Sequence, residues 1–399
     1  MNEIRSLVHA LDAAAARGER CAMATVVDVE GSSYRAPGAR MLVSEHGETT
    51  GTISAGCLES DVVEHAKAVM QTGVATLVEY DTHATSDDDP WGLGLGCGGV
   101  IRVLVEAVDA ASPLVEALRS CAAQLDATAV TVATVYRRAP GPADGEAIPA
   151  GARVWIDDRG DVRHERLAER AAVTLAREVV AAPDARRTPE TRTVLLEGVA
   201  ANVFVERLEP PVPLLVFGAG FDVLPVVELA RGLGWWTEVV DPQARATSRV
   251  RFAAADRVTL ARVEELGGQL TVTPRTMALL MSHSYAHDLA MLRRLLASAA
   301  RYIGVMGPRH RTDRMLQELA SGGDAELLAD ASLARLHAPV GLDIGASGPA
   351  DIALSIVAEM RAVIDERRGG MLRERGGGIH ERPGPEFSTA GGVRQCRTS

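Results

Sequence analysis

A chain of 399 residues is longer than one hydrophobic core usually organises, so two domains are expected, and 47% hydrophobic residues can fill both. With 4% aromatic residues there is little surface on which to stack bases, and a net charge of -11 repels a polyanion, so nucleic-acid partners are excluded. The opening residues 1–20 mix charges with alanines, no apolar run reaches membrane-spanning length, and five scattered cysteines do not read as a disulfide framework, so the sequence predicts no signal peptide, no membrane span and a reduced, cytoplasmic setting.

Hydrophobic spacing predicts a helix over 3–18, strands over 22–29, 40–44 and 49–53, a helix over 57–72, and strands over 74–80 and 99–107. A second piece follows: a helix near 112–125, strands near 128–136 and 152–156, a helix near 165–181, and strands near 192–197 and 200–207 hinged at Gly198 as a hairpin. Residues 138–150, rich in Pro, Gly and Ala, read as a surface loop. No internal repeat is expected. Glu209-Pro210-Pro211-Val212-Pro213 can neither continue a helix nor enter a central strand, and marks the linker. Beyond it, strands at 214–217, 237–241, 257–260, 277–283, 301–305 and 340–344 alternate with helices at 221–233, 286–297, 311–321 and 349–366. The expected fold is α/β: an α+β domain over 1–209, a doubly wound parallel-sheet, Rossmann-like domain over 210–368, and a disordered Gly/Arg-rich tail over 369–399.

The segment carrying most chemistry is Leu214-Leu215-Val216-Phe217-Gly218-Ala219-Gly220, followed by a helical pattern and by Val239-Val240-Asp241. Glycines let backbone amides approach a phosphate at a helix N-terminus, and Asp241 stands where an acid reaches ribose hydroxyls, although Val223 replaces the third glycine of the dinucleotide fingerprint. Cys57 in Gly56-Cys57-Leu58-Glu59 falls in the opening turn of its predicted helix, where the helix dipole favours thiolate; alternatively it is a small apolar filler. Cys97 lies in the glycine run Gly96-Cys97-Gly98-Gly99, a ligand-approaching turn or a strained loop, and two thiolates together suit a soft metal or persulfide sulfur. Arg35, in Gly31-Ser32-Ser33-Tyr34-Arg35, is a candidate anion ligand. His283 ends a strand on the ligand-binding edge, with Ser284 reading as the N-cap that separates it from His287, and Asp288 supplying first-turn charge. Arg309 and Arg311 follow the next strand, to meet phosphate or to coat a helix.

Taken together these pieces, with Pro37-Gly38-Ala39, Tyr302-Ile303-Gly304 and Ala338-Pro339-Val340-Gly341-Leu342-Asp343-Ile344-Gly345, resemble the XdhC/CoxI family of xanthine dehydrogenase accessory proteins over roughly residues 5–380. The resemblance implies a chaperone without turnover of its own. It implies binding of molybdenum cofactor (molybdopterin or its cytidine dinucleotide form), sulfuration by a cysteine desulfurase, and insertion into a xanthine dehydrogenase-type molybdenum hydroxylase. A pterin phosphate would rest on Gly218, Ala219 and Gly220 while Cys57 and Cys97 approach from the other half. Three departures stand out: Phe221 where the family usually has histidine, Ser284 for an aspartate, and Ala55 for a glycine. A homodimer is expected. The rival reading is an NAD(P)-dependent oxidoreductase using the glycine turn and Asp241, for which His283 is the one good proton donor.

Overall fold

The computed structural model describes residues 2–31, 33–54, 56–81, 99–123, 129–138, 148–181, 189–266 and 269–374. Cys97, the loop 139–147 and the expected tail beyond Glu374 lie outside the described residues.

Helix α1 (Asn2–Arg17) leads into β1 (Cys21–Gly31), β2 (Arg40–Ser44), β3 (Thr49–Gly51), α2 (Glu59–Thr72), β4 (Thr76–Asp81) and β5 (Gly99–Val108). The same series then runs again, as α3 (Pro113–Ala123), β6 (Val130–Arg138), β7 (Ala152–Asp157), β8 (Val162–Glu165), α4 (Glu169–Val180), β9 (Glu190–Leu196) and β10 (Val199–Leu208). Each series makes a five-stranded antiparallel sheet, in the orders β3-β2-β1-β5-β4 and β8-β7-β6-β10-β9. The two orders are the same order. The expectation of no repeat is therefore corrected: the first half of the chain is an internal duplication.

Register makes the match residue by residue. Thr25 pairs with Arg40 and Leu104, and Thr134 pairs with Arg153 and Phe204. Both copies carry a β-bulge in one place, skipping Val27 in β1 and Tyr136 in β6. The two bulged residues meet Leu104 and Phe204 in a small buried cluster between the copies. In sequence the copies share Ala-Thr-Val (24–26 and 133–135), Gly-Ala-Arg (38–40 and 151–153) and Val-x-Val-Glu (103–106 and 203–206).

The shared charges pair reciprocally. Arg40 of the first copy donates to Glu206 of the second, and Arg153 of the second donates to Glu106 of the first at 2.5 Å. All four side chains are at most 6% exposed. Outside this junction, α2 covers one sheet with Val62, Ala66 and Val69, and α4 covers the other with Ala172, Leu175 and Val179.

After the linker, β11 (Pro213–Phe217), α5 (Val223–Gly232), β12 (Trp236–Asp241), α6 (Thr247–Arg251), β13 (Arg257–Leu260), β14 (Met277–Leu280), α7 (Tyr285–Leu296), β15 (Tyr302–Val305), α8 (Arg309–Ser321), α9 (Asp330–Leu333), β16 (Leu336–His337) and α10 (Pro349–Ile364) form the expected Rossmann-like unit; Pro213, expected in the linker, is the first residue of a central strand, a place proline tolerates. Its six parallel strands run β13-β12-β11-β14-β15-β16, so the order reverses between β11 and β14. Strands β11 and β14 are buried throughout, with α5 and α10 packed on one face and α7 and α8 on the other. The strand expected over 340–344 is not formed. The ladder with β15 ends at His337, where Pro339 has no N–H to donate; Val340 N makes one further bond to Val305 O at 3.2 Å before Gly341 turns away at φ +110°.

Candidate functional site

The reversal point places two loops side by side at the carboxyl edge of the sheet, one after β11 and one after β14. In the first, Gly218 has φ +138° and donates its N–H to Val240 O at 2.9 Å. A β-carbon there would collide with the Met281 carbonyl, so close packing of the two loops is one reason for glycine at this position. The amides of Ala219, Gly220, Phe221 and Asp222 find no acceptor among the described residues. Ala219 is buried, Gly220 is half-buried, and Phe221 stands 73% exposed. The turn is thus open along its Gly220–Asp222 side and presents unpaired donors at the N-terminus of α5.

Strand β14 ends at Leu280, three residues earlier than the spacing predicts, and His283 follows in the left-handed region at φ +57°. Its Nε2 lies 2.8 Å from Asp222 Oδ2, which joins the two loops. Asp222 escaped the sequence reading, since an acid at a helix start is read as a cap; its side chain caps nothing here and faces the histidine instead. Ser284 is the N-cap of α7, as expected, accepting from His287 N at 3.4 Å. Asp288 does more than charge the first turn: it is buried, accepts from Ser282 Oγ at 2.5 Å, and holds Arg311 at 2.7 Å. Arg311 is therefore committed to structure, while Arg309 opens α8 in an exposed position. Asp343 is exposed on the loop after β16.

Asp241 ends β12 with no exposed surface. Its oxygens accept from Gln243 N at 3.0 Å, Arg245 Nε at 3.0 Å and Ser248 Oγ at 2.6 Å. Burial works to raise its pKa, but the Arg245, Ser248 and backbone donors outweigh it and hold the carboxylate below its ordinary range. The acid expected to reach a ribose is thus fully engaged in fastening residues 241–248.

In the first half, α2 starts at Glu59, two residues later than predicted, so Cys57 precedes the first turn and Leu58 is the N-cap. The Cys57 side chain is half-buried against the cluster of Ile53, Leu58 and Val62, close to the apolar-filler reading. What fixes its loop is Glu59, a position of the Gly56-Cys57-x-Glu59 pattern whose role is not readable from sequence. That carboxylate accepts from Ser54 N at 2.9 Å, Thr52 Oγ1 at 2.6 Å and Leu58 N at 3.2 Å, as well as from Ser54 Oγ. Burial raises its pKa, yet the donors prevail and bring it from 4.5 to about 2. A depressed folded-state pKa gives stability that is present above the unfolded value and lost as pH falls toward about 2. Acid titration of Glu59→Gln should therefore show a shallower loss of stability below the ordinary 4.5 than the parent protein. Parallel curves would rule out this anchor. Arg35 is held by Glu3 of α1, with Nη2 2.7 Å from both carboxylate oxygens.

The two halves meet at the opposite edge of the parallel sheet. Arg5 approaches Asp256 at 3.8 Å just before β13, and Arg275, just before β14, approaches Glu209 at 3.6 Å. The five residues of β11 span about 17 Å between that edge and the glycine turn. Among the described residues no hydrogen bond or ion pair joins the Cys57 loop to residues 218–222.

The chain matches the XdhC Rossmann domain over residues 214–360 and the XdhC and CoxI family over residues 14–81. It is 31% identical to a Bacillus subtilis protein described as a probable xanthine dehydrogenase subunit, over 88% of this chain and 95% of that one. It is 22% identical to the molybdenum cofactor insertion chaperone PaoD of Escherichia coli, over 87% and 84% of the two chains. A solved structure described as a xanthine dehydrogenase from Bacillus halodurans superposes with a TM-score of 0.69 at 31% identity, covering 91% of this chain and 97% of that one. With matches through both halves and a relative aligned over almost its whole length, the chain belongs to the XdhC and CoxI family.

Proposed function

We propose that this protein is an accessory protein that binds molybdenum cofactor at the carboxyl edge of its parallel sheet and passes it to a molybdenum hydroxylase of the xanthine dehydrogenase type. The observation that carries the reading is the run of amides from Gly220 to Asp222, unpaired among the described residues, at the start of α5 beside the Asp222–His283 pair. Such donors fit the terminal phosphate of a pterin cofactor, whose charge the helix N-terminus also favours. When bound, the group supplies molybdenum redox chemistry that the recipient enzyme uses. This chain's residues hold the phosphate, with His283 and Arg309 as further candidates on the same edge. Support from relatives lies in the family match and in the described role of PaoD.

The reading takes a cysteine desulfurase as sulfur source and a homodimer as the working form. Cys57, Cys97 and Arg35 enter it as a separate first-half station for sulfur or for the donor enzyme. The engagement of Asp241 by its own loop weighs against NAD(P), because the ribose hydroxyls would have to displace an arginine, a serine and a backbone amide.

Protein purified from cells that make molybdenum cofactor should carry stoichiometric pterin and molybdenum, measured by fluorescence of the oxidised pterin and by metal analysis, and should show no saturable binding of NADH. Absent pterin with saturable NADH would replace this reading by the oxidoreductase.

A further inference from the structure

We propose that Phe221 is a stacking platform for the flat ring of the ligand whose phosphate sits on the neighbouring amides, with Arg251 as its fixed backing. The proposal rests on the cofactor-binding reading and names the residue that would recognise the heterocycle. The other described phenylalanines, Phe204, Phe217 and Phe252, are all at most 2% exposed, whereas Phe221 is 73% exposed. Leaving such a side chain in water forgoes about 1.5–3 kcal/mol of burial, so its placement on a ligand-binding edge calls for a contact. One face of the ring is already used: the Arg251 guanidinium lies 4.2 Å from the ring centroid. Arg251 is itself fixed by donating to Ala219 O at 2.7 Å, inside the glycine turn. The platform and the phosphate donors are thus one rigid unit, built from four consecutive residues and one arginine.

Recognition follows from the parts. The amides from Gly220 to Asp222 take an oxyanion, and the free face of Phe221 takes a planar heterocycle tethered to it within a few bonds. Asp222 and His283 both flank the turn: a β-carbon on Gly220 would run into Asp222 Oδ1 and lie 3.7 Å from His283 Nε2. The ligand class is a phosphorylated planar heterocycle; a pterin and a nucleobase share this chemistry, and the cofactor reading selects the pterin.

Fluorescence titration of the full-length chain with a stable pterin phosphate, with cytidine 5′-monophosphate and with inorganic phosphate tests the assignment. Stacking on an aromatic side chain is worth about 1–3 kcal/mol, so Phe221→Ala should weaken pterin phosphate about 5- to 150-fold, abolish the quenching of pterin emission, and leave inorganic phosphate unaffected. Phe221→Trp should restore affinity and quenching, and Arg251→Met should reduce both. Unchanged pterin binding in Phe221→Ala overturns the platform, as does equal weakening of pterin phosphate and inorganic phosphate, which would mean that the turn had merely been disturbed. A loss confined to cytidine monophosphate overturns the pterin assignment. If the unsubstituted protein binds none of the three probes, the cofactor reading itself falls and takes the platform with it.

Discussion

Arg40→Ala should lower stability by about 3–5 kcal/mol, because it strands a buried carboxylate without its ionic partner. Glu206 is 5% exposed and its ion pair is to Arg40 across the two copies. The same loss is expected for Arg153→Ala, which would leave Glu106 unpaired at 2% exposure. Urea unfolding followed by circular dichroism measures both. The double replacement Arg40→Met, Glu206→Leu should recover most of the loss, since it removes both charges from the junction and fills the space with apolar atoms. A single variant that costs under about 1 kcal/mol, the value of an exposed pair, would show that water reaches the junction. Because each pair ties one sheet to the other, the two copies should also unfold in one transition.

Gly218→Ala is the second large effect. At φ +138° an alanine is strained by about 1–3 kcal/mol, and its methyl group would run into the Met281 carbonyl, which is backbone and cannot swing aside. The loop carrying Ser282 and His283 would have to move away from α5. The variant should therefore lose both thermal stability and bound pterin in the purification experiment. Gly232→Ala is the matched control, in the last position of α5 with nothing within 4 Å of the added carbon, and should leave both intact. Retained pterin in Gly218→Ala would dissociate ligand binding from the geometry of this turn.

The parallel sheet was legible because its strands are short apolar runs buried on both faces, each set between turn residues, and Leu214–Phe217 needs no tertiary context to be recognised. Edge elements were not. Strand β8 is the polar run Val162-Arg163-His164-Glu165, three of whose side chains are exposed, so no alternation marks it. The apparent alternation Val340, Leu342, Ile344 misled in the other direction, because the chain there curls around Ser355 of α10 and Leu342 N donates to Ser355 O at 3.2 Å. The duplication was present as Gly-Ala-Arg and Val-x-Val-Glu, but the connections differ so much in length that no fixed period survives. At the candidate site the glycine turn and His283 could be read from strand ends alone. Asp222, Glu59 and the full engagement of Asp241 could not, since each depends on which side chain lies opposite once distant loops are brought together.

The paired copies join the same strands by links of unlike length. In the second, β9 and β10 are joined by Glu197 and Gly198 alone, while in the first the corresponding link is residues 82–98 and contains Cys97. Likewise Arg166, at φ +57°, stands before the helix where the first copy has the Cys57 turn. Other links are longer in the second copy, 139–151 against 32–39 and 181–189 against 73–75, so the frame held by shared register and reciprocal ion pairs tolerates unlike connections in either copy.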